Sequence, residues 1–156
     1  MGRVDYYHDP NAPAANSLVP GGSAIVVDDR GKIVLQRRSD NNRWALPGGT
    51  MDIGETIGEA VMREVREETG LEIELIGIVG IYSDPGHVFA YDDGEIRQQF
   101  NVCFAGRVIG GHLQTSSESR EVGFFSLNDA KDLDIHESIR LRIRHFSENR
   151  PQPVIA

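Results

Sequence analysis

Three glutamates crowd the short run Glu64–Glu68, with Arg63 directly before them and Pro47, Gly48 and Gly49 upstream. Like charges this close raise one another's proton affinity, and burial raises it further. The spacing decides whether burial is expected. At about 100° per residue from Ile57, the apolar Ala60, Val61 and Val65 fall at roughly −60°, 40° and 80°, an arc that must face a core. On the same wheel Glu64 and Glu68 fall at about −20° and 20°, inside that arc, and Glu67 near −80°. Glu59, Arg63 and Arg66 occupy the other side, as a solvated face requires. Unpaired carboxylates on a core-facing arc are costly, and a cation removes the cost. Two or three carboxylate oxygens suit a hard ion such as Mg²⁺ or Mn²⁺, which keeps positions open for water and phosphate oxygens. Glycines at 48 and 49 let backbone approach a ligand and turn a carbonyl toward it.

The helix that carries these groups is well marked. Thr56 followed by Glu59 has the form of a capping box, and Gly70 sits where a left-handed residue ends a helix. The span is therefore 57–69. A second helix is expected over 137–146, where Ile139, Ile143 and Phe146 recur at helical spacing. Around these, "SAIVVDDRGKIVLQRRS" reads as two strands joined by an Asp-Asp-Arg-Gly hairpin loop. Further β-rich runs follow at "LEIELIGIVGIYSD", "EIRQQFNVCFAGRVI" and "EVGFFSL", with a second Asp-Gly turn in "YDDGE". The fold class is α+β with a mostly antiparallel or mixed sheet. Residues 1–20, with Pro10, Pro13 and Pro20 among Asn and Ala, read as an extended arm; residues 21–156 form a single domain.

Length and charge narrow the function. The 156 residues suit one domain, and the net charge of −8, from 24 acidic and 16 basic side chains, lacks the basic footprint of a duplex nucleic-acid binder. A single phosphorylated small molecule can still be met by local Arg residues or a metal. No apolar run approaches the ~20 residues of a membrane helix, and the polar N-terminus has no secretory or transit pattern. The expected location is cytoplasmic. Cys103, in a strand-like stretch with no adjacent base, reads as core packing.

Gly49, Glu55, Arg63, Glu64, Val65, Glu67, Glu68, Gly70 and Leu71 stand at every fixed position of the pattern G-x5-E-x7-R-E-U-x-E-E-x-G-U, U being bulky and aliphatic. The stretch 49–71 thereby resembles the signature of the Nudix hydrolases, and the flanks "VLQRRSDNNRWALPGG" and "EVGFFSLNDA" extend the likeness. The resemblance implies an α/β/α sandwich on a mixed sheet. It also implies hydrolysis of a nucleoside diphosphate linked to another group X, such as a nucleoside triphosphate, ADP-ribose or a sugar nucleotide, with Mg²⁺ or Mn²⁺. By that similarity Glu64, Glu67 and Glu68 are metal ligands, and the Gly48–Gly49 backbone can add a carbonyl. Arg63 braces the carboxylates, reaching Glu67 at i+4, and Glu55 ties loop to helix.

Relatives also carry a further acid from outside the signature. Glu118, just before the β-rich run 122–125, is the candidate, with Glu121 second. One of Arg37 and Arg38 should face the site and meet phosphate, because successive strand side chains alternate faces. His87, in the loop-punctuated "YSDPGHVFAYDDGE", is a candidate for substrate recognition, while Trp44 is assigned to packing beneath the glycine loop. Family members often dimerise, so a homodimer is an open expectation. A nucleotide-binding domain that senses without cleaving is the alternative, although such domains often lose signature carboxylates and this chain retains all of them.

Overall fold

The strands of the hairpin read from the sequence carry two alternating sets of apolar side chains, and the structure buries both. In the computed structural model, which describes residues 2–156, Ala24, Val26 and Val34 are buried with Val61 and Val65 on one side of a large sheet. Ile25, Ile33 and Leu35, the alternate set, are buried on the other side with Ile139, Ile143 and Phe146 packed against them. Period-two alternation thus feeds two apolar cores, one under each helix. This is the α/β/α arrangement, an α+β fold with a mixed sheet.

In chain order the elements are β1 (Arg3–Tyr7), β2 (Ser17–Leu18), β3 (Gly21–Val27), β4 (Ile33–Arg38), β5 (Trp44–Ala45), β6 (Gly48–Thr50), α1 (Ile57–Thr69), β7 (Leu71–Tyr82), β8 (His87–Tyr91), β9 (Ile96–Gln98), β10 (Asn101–Gly111), β11 (Ser119–Phe125), α2 (Leu127–Ala130), α3 (Glu137–Ser147) and β12 (Val154–Ile155). The large sheet runs β11-β4-β3-β10-β7-β12, with β5 paired to β4 and β6 to β3. The β10–β3 and β12–β7 pairings are parallel and the others in this sheet antiparallel.

A second sheet has the order β1-β8-β9-β2. Arg3–Tyr7 pairs antiparallel with Tyr91–His87, so the segment expected as an arm is drawn into the fold by backbone hydrogen bonding. The run 95–109, expected as one strand, divides at Gln99–Phe100 between β9 in the small sheet and β10 in the large one. Cys103 is fully buried between the strands and α3, as packing requires.

α1 has both caps expected of it. Thr56 Oγ1 accepts from the Glu59 N–H at 3.1 Å, and Glu59 Oε1 accepts from the Thr56 N–H at 3.0 Å. Gly70 ends the helix at φ 79°, and a Cβ there would meet the His112 carbonyl at 2.4 Å, so only glycine fits.

Candidate metal-dependent active site

The face of α1 buried against β3 and β7 carries Glu68 inward with it. Glu68 is 4% exposed. Its Oε2 accepts from Gln36 Nε2 at 2.6 Å and from the Gly48 N–H at 3.1 Å. Burial pushes its pKa up, and the Glu64 and Glu118 charges push the same way against these two hydrogen bonds. Glu64, one helical turn earlier, is also raised by burial, an effect opposed by Arg63. One oxygen each from Glu64, Glu68 and Glu118 lies within 4.8 Å of the other two.

Glu118 arrives from the opposite side of α1. It sits at the entry to β11, where its carbonyl accepts from the Ser39 N–H at 3.0 Å. The neighbouring Ser119, buried, donates through Oγ to the Glu68 carbonyl at 3.1 Å and so ties β11 to the end of α1.

Arg63 braces the group from the other flank. Its guanidinium bonds Glu55 at 2.6 and 3.0 Å, Glu64 at 3.0 Å, Glu67 at 3.3 Å and the Thr50 carbonyl at 3.2 Å. The hydrogen-bonded pair with Arg63 lowers the pKa of Glu55 to about 2. Loop, helix and glycine strand are thereby held by one cation. Glu67 itself lies at the rim, its side chain 56% exposed and held by Arg63, outside the trio of Glu64, Glu68 and Glu118.

Close approach explains both glycines, by backbone at Gly48 and by a site carboxylate at Gly49. A Cβ on Gly49 would lie 2.6 Å from the Glu64 carboxyl carbon, and one on Gly48 would lie 2.2 Å from the Gly22 carbonyl. The two strand arginines diverge, as alternation demands. Arg37 pairs with Glu121 at 2.8 Å, which occupies that acid away from the trio. Arg38 lines a cleft beside the glycine strand and pairs with Asp40 at 2.8 Å.

That cleft adjoins the carboxylates through Gly48, Gly49 and Thr50 and runs to α3 and the small sheet. His87 lies in it, 4% exposed, with burial lowering its pKa to about 3, so the ring is neutral at physiological pH. Trp44 also lines the cleft, and its ring meets Phe125 edge-on at 5.0 Å.

Residues 18–146 match the NUDIX domain family. The chain belongs to the Nudix hydrolases. Among curated relatives, it is 37% identical over 123 residues to an ADP-ribose pyrophosphatase of Methanocaldococcus jannaschii, a match covering 73% of this chain and 66% of that protein. It is 31% identical over 124 residues to a MutT-like protein of Streptomyces ambofaciens, covering 80% and 73%. The chain thus spans just under two thirds of the first relative's length. Among solved structures, a NUDIX hydrolase from Nitrosomonas europaea superposes with a TM-score of 0.70 at 19% identity, covering 88% of this chain and 94% of that one, which bears on the fold. An ADP-ribose pyrophosphatase from Streptococcus suis gives 0.64 at 25% identity, covering 88% and 96%.

The donor set of this Nudix chain fits a hard dication. All three converging side chains are carboxylates, and the most buried of them resists ionising without a positive partner. Sequence reasoning missed Gln36, Ser119 and the cleft residues Arg3, Asp5, His136 and Arg142. Gln36 had a legible signal as a polar residue at the end of an apolar strand run, and the structure buries it at 1% exposure.

Proposed function

We propose that this Nudix protein hydrolyses the pyrophosphate linkage of a nucleoside diphosphate joined to another group, using Mg²⁺ or Mn²⁺ held by Glu64, Glu68 and Glu118. The observation that carries this reading is the convergence of those three carboxylates in a chain that keeps every position of the signature. Bound there, the metal would neutralise pyrophosphate charge and acidify a water. The protein's own groups do the rest. Glu67 completes the acidic set from the exposed side, and the Gly48 or Gly49 carbonyl offers a further oxygen. Arg63 keeps Glu64 and Glu67 in place through its bonds to both. Gln36 and Ser119 act as positioning residues for Glu68 and its helix end. Arg38 is the phosphate contact, because it lines the cleft while Arg37 does not.

The acidic chain offers few free cations to a pyrophosphate, which makes the metal the main source of positive charge. The relative's name places ADP-ribose first on the substrate panel, followed by sugar nucleotides and nucleoside triphosphates. A cytoplasmic setting is part of the same proposal, supported by the single free, buried Cys103. Incubating the panel with each metal and identifying both products tests the reading. The expected result is a nucleoside monophosphate or diphosphate released only when metal is present. Saturable nucleotide binding with no cleavage of any panel member would replace it with a sensor domain.

A further inference from the structure

Among the described residues, one arginine of the cleft has no carboxylate partner. Among its arginines, Arg3 pairs with Asp5, Arg38 with Asp40, Arg43 with Asp134 and Arg97 with Glu95. Arg142, on α3, makes no ion pair or hydrogen bond among the described residues, and its buried Nε has no partner, although the residue is only 5% exposed. Its guanidinium lies over the Tyr82 ring, 5.2 Å from the centroid. The ionisable groups around it, Tyr82, Cys103 and Tyr7, all have their pKa raised, chiefly by burial, so none carries negative charge at neutral pH. An arginine stays charged in proteins, and an uncompensated buried charge is among the costlier features a fold can keep.

Arg142 lines both the cleft and a second cavity, whose lining includes Tyr82 and Ser83. His87 lines both spaces too, and its buried Nε2 also lacks a partner. Asp84 is the one acidic side chain on the cavity wall among the described residues, but His8 holds it at 2.7 Å and the Gly86 N–H at 2.8 Å. Asp5, His87 and His136 approach one another closely enough to resemble a metal trio. Two features oppose that use. His136 Nδ1 accepts from the Ser138 N–H at 3.1 Å, which leaves the neutral ring's proton on Nε2, and the Arg142 charge lies near both rings.

We infer that Arg142, with His87 beside it, is an oxyanion-binding site at the inner end of the cleft, receiving a phosphate or carboxylate carried by the substrate away from its scissile pyrophosphate. The inference rests on the cleft being the substrate site proposed above. It narrows that panel to nucleoside diphosphate derivatives with a further anionic group, which ranks ADP-ribose and neutral sugar nucleotides below their acidic counterparts. Guanidinium supplies a planar fork of donors that matches either oxyanion. Neutral His87, with its proton on Nε2, would add one more.

The site is tested without metal or turnover by titrating inorganic phosphate into the full chain in the presence of a chelator, followed by calorimetry. Wild type should bind, Arg142→Met should bind about tenfold more weakly or worse, as loss of charge-assisted hydrogen bonds implies, and Arg107→Met, which removes an exposed cation elsewhere, should match wild type. Arg142→Lys keeps the charge, and should retain binding that the Met variant loses even if the latter folds poorly. Equal phosphate binding by wild type and a folded Arg142→Met, or none by wild type, would overturn the site. In a second arm, metal-supported hydrolysis of UDP-glucuronate and UDP-glucose compares sugars that differ at one carboxylate. A lower KM for the acidic sugar in wild type, lost in Arg142→Met, is expected if the group is a carboxylate; a wild type indifferent to the carboxylate would overturn that assignment and leave a phosphate as the group bound. Failure of hydrolysis with intact phosphate binding would count against the catalytic reading and leave the oxyanion site standing.

Discussion

Glu68 is a carboxylate whose two hydrogen bonds are too few to offset its burial and its acidic neighbours. Glu68→Gln keeps a carbonyl oxygen that can accept from both Gln36 and Gly48 while removing the charge. With metal chelated, the variant should melt at or above the wild-type temperature, and turnover with Mg²⁺ should fall by orders of magnitude; a variant that unfolds would instead indicate a structural role. The acid's raised pKa sets the sign, since metal-free stability held by its protonated form is lost as pH rises through that value. Gln36→Leu should weaken metal affinity about 10–100-fold, the usual cost of losing a ligand's outer partner, read by Mn²⁺ titration; unchanged affinity would remove Gln36 from the site. His87 gives the opposite slope. Its folded pKa, about 3 against an ordinary 6.5, means the unfolded chain binds more protons between those values. Stability is therefore complete above pH 6.5 and falls on acidification by at most about 1.4 kcal/mol per pH unit. His87→Gln should flatten that part of a denaturation-versus-pH curve, and an unchanged slope would show that the ring is not titrating.

At the scale of elements, α1 was legible because its caps, apolar arc and carboxylates all lie within one contiguous stretch. Thr56→Ala should cost about 1 kcal/mol, as lost N-caps do, which urea denaturation can measure. In β6 the constraint is close approach. Gly49→Ala would set a methyl 2.6 Å from the Glu64 carboxyl carbon, so turnover should drop while the melting temperature changes little. α3 carries a comparable signal in its sequence. From Ile139 at zero, Ile143 and Phe146 fall at about 40° and −20°, and Arg142 at about −60°, the same buried-arc signal that singled out the glutamates. Its charge is harder to read because a lone arginine gives no motif. The small sheet had no comparable signal: β1 and β8 meet through backbone pairing across the length separating residues 3–7 from 87–91, and no local pattern specifies that partnership.

Across the whole molecule, one large sheet holds α1 on one face and α3 on the other, with the carboxylates and the cleft joined at the glycine strand. The signature predicted the first half of this site. Glu118 came from the family resemblance together with its place before a strand, and its carboxylate lies with those of Glu64 and Glu68 while Arg37 engages Glu121. The cleft's identity depends on residues from β1, β8 and α3, separated by most of the chain, and so emerges only in three dimensions. The central claim is that Glu64, Glu68 and Glu118 form the metal-dependent centre for pyrophosphate hydrolysis. Its most direct test is the rate of product release from the best panel substrate, measured as Mg²⁺ is titrated into wild type and into folded Glu64→Gln, Glu68→Gln and Glu118→Gln. The account predicts no rate without metal, saturation in wild type, and a large loss of turnover or of metal affinity in each variant. Wild-type curves from all three variants would contradict it.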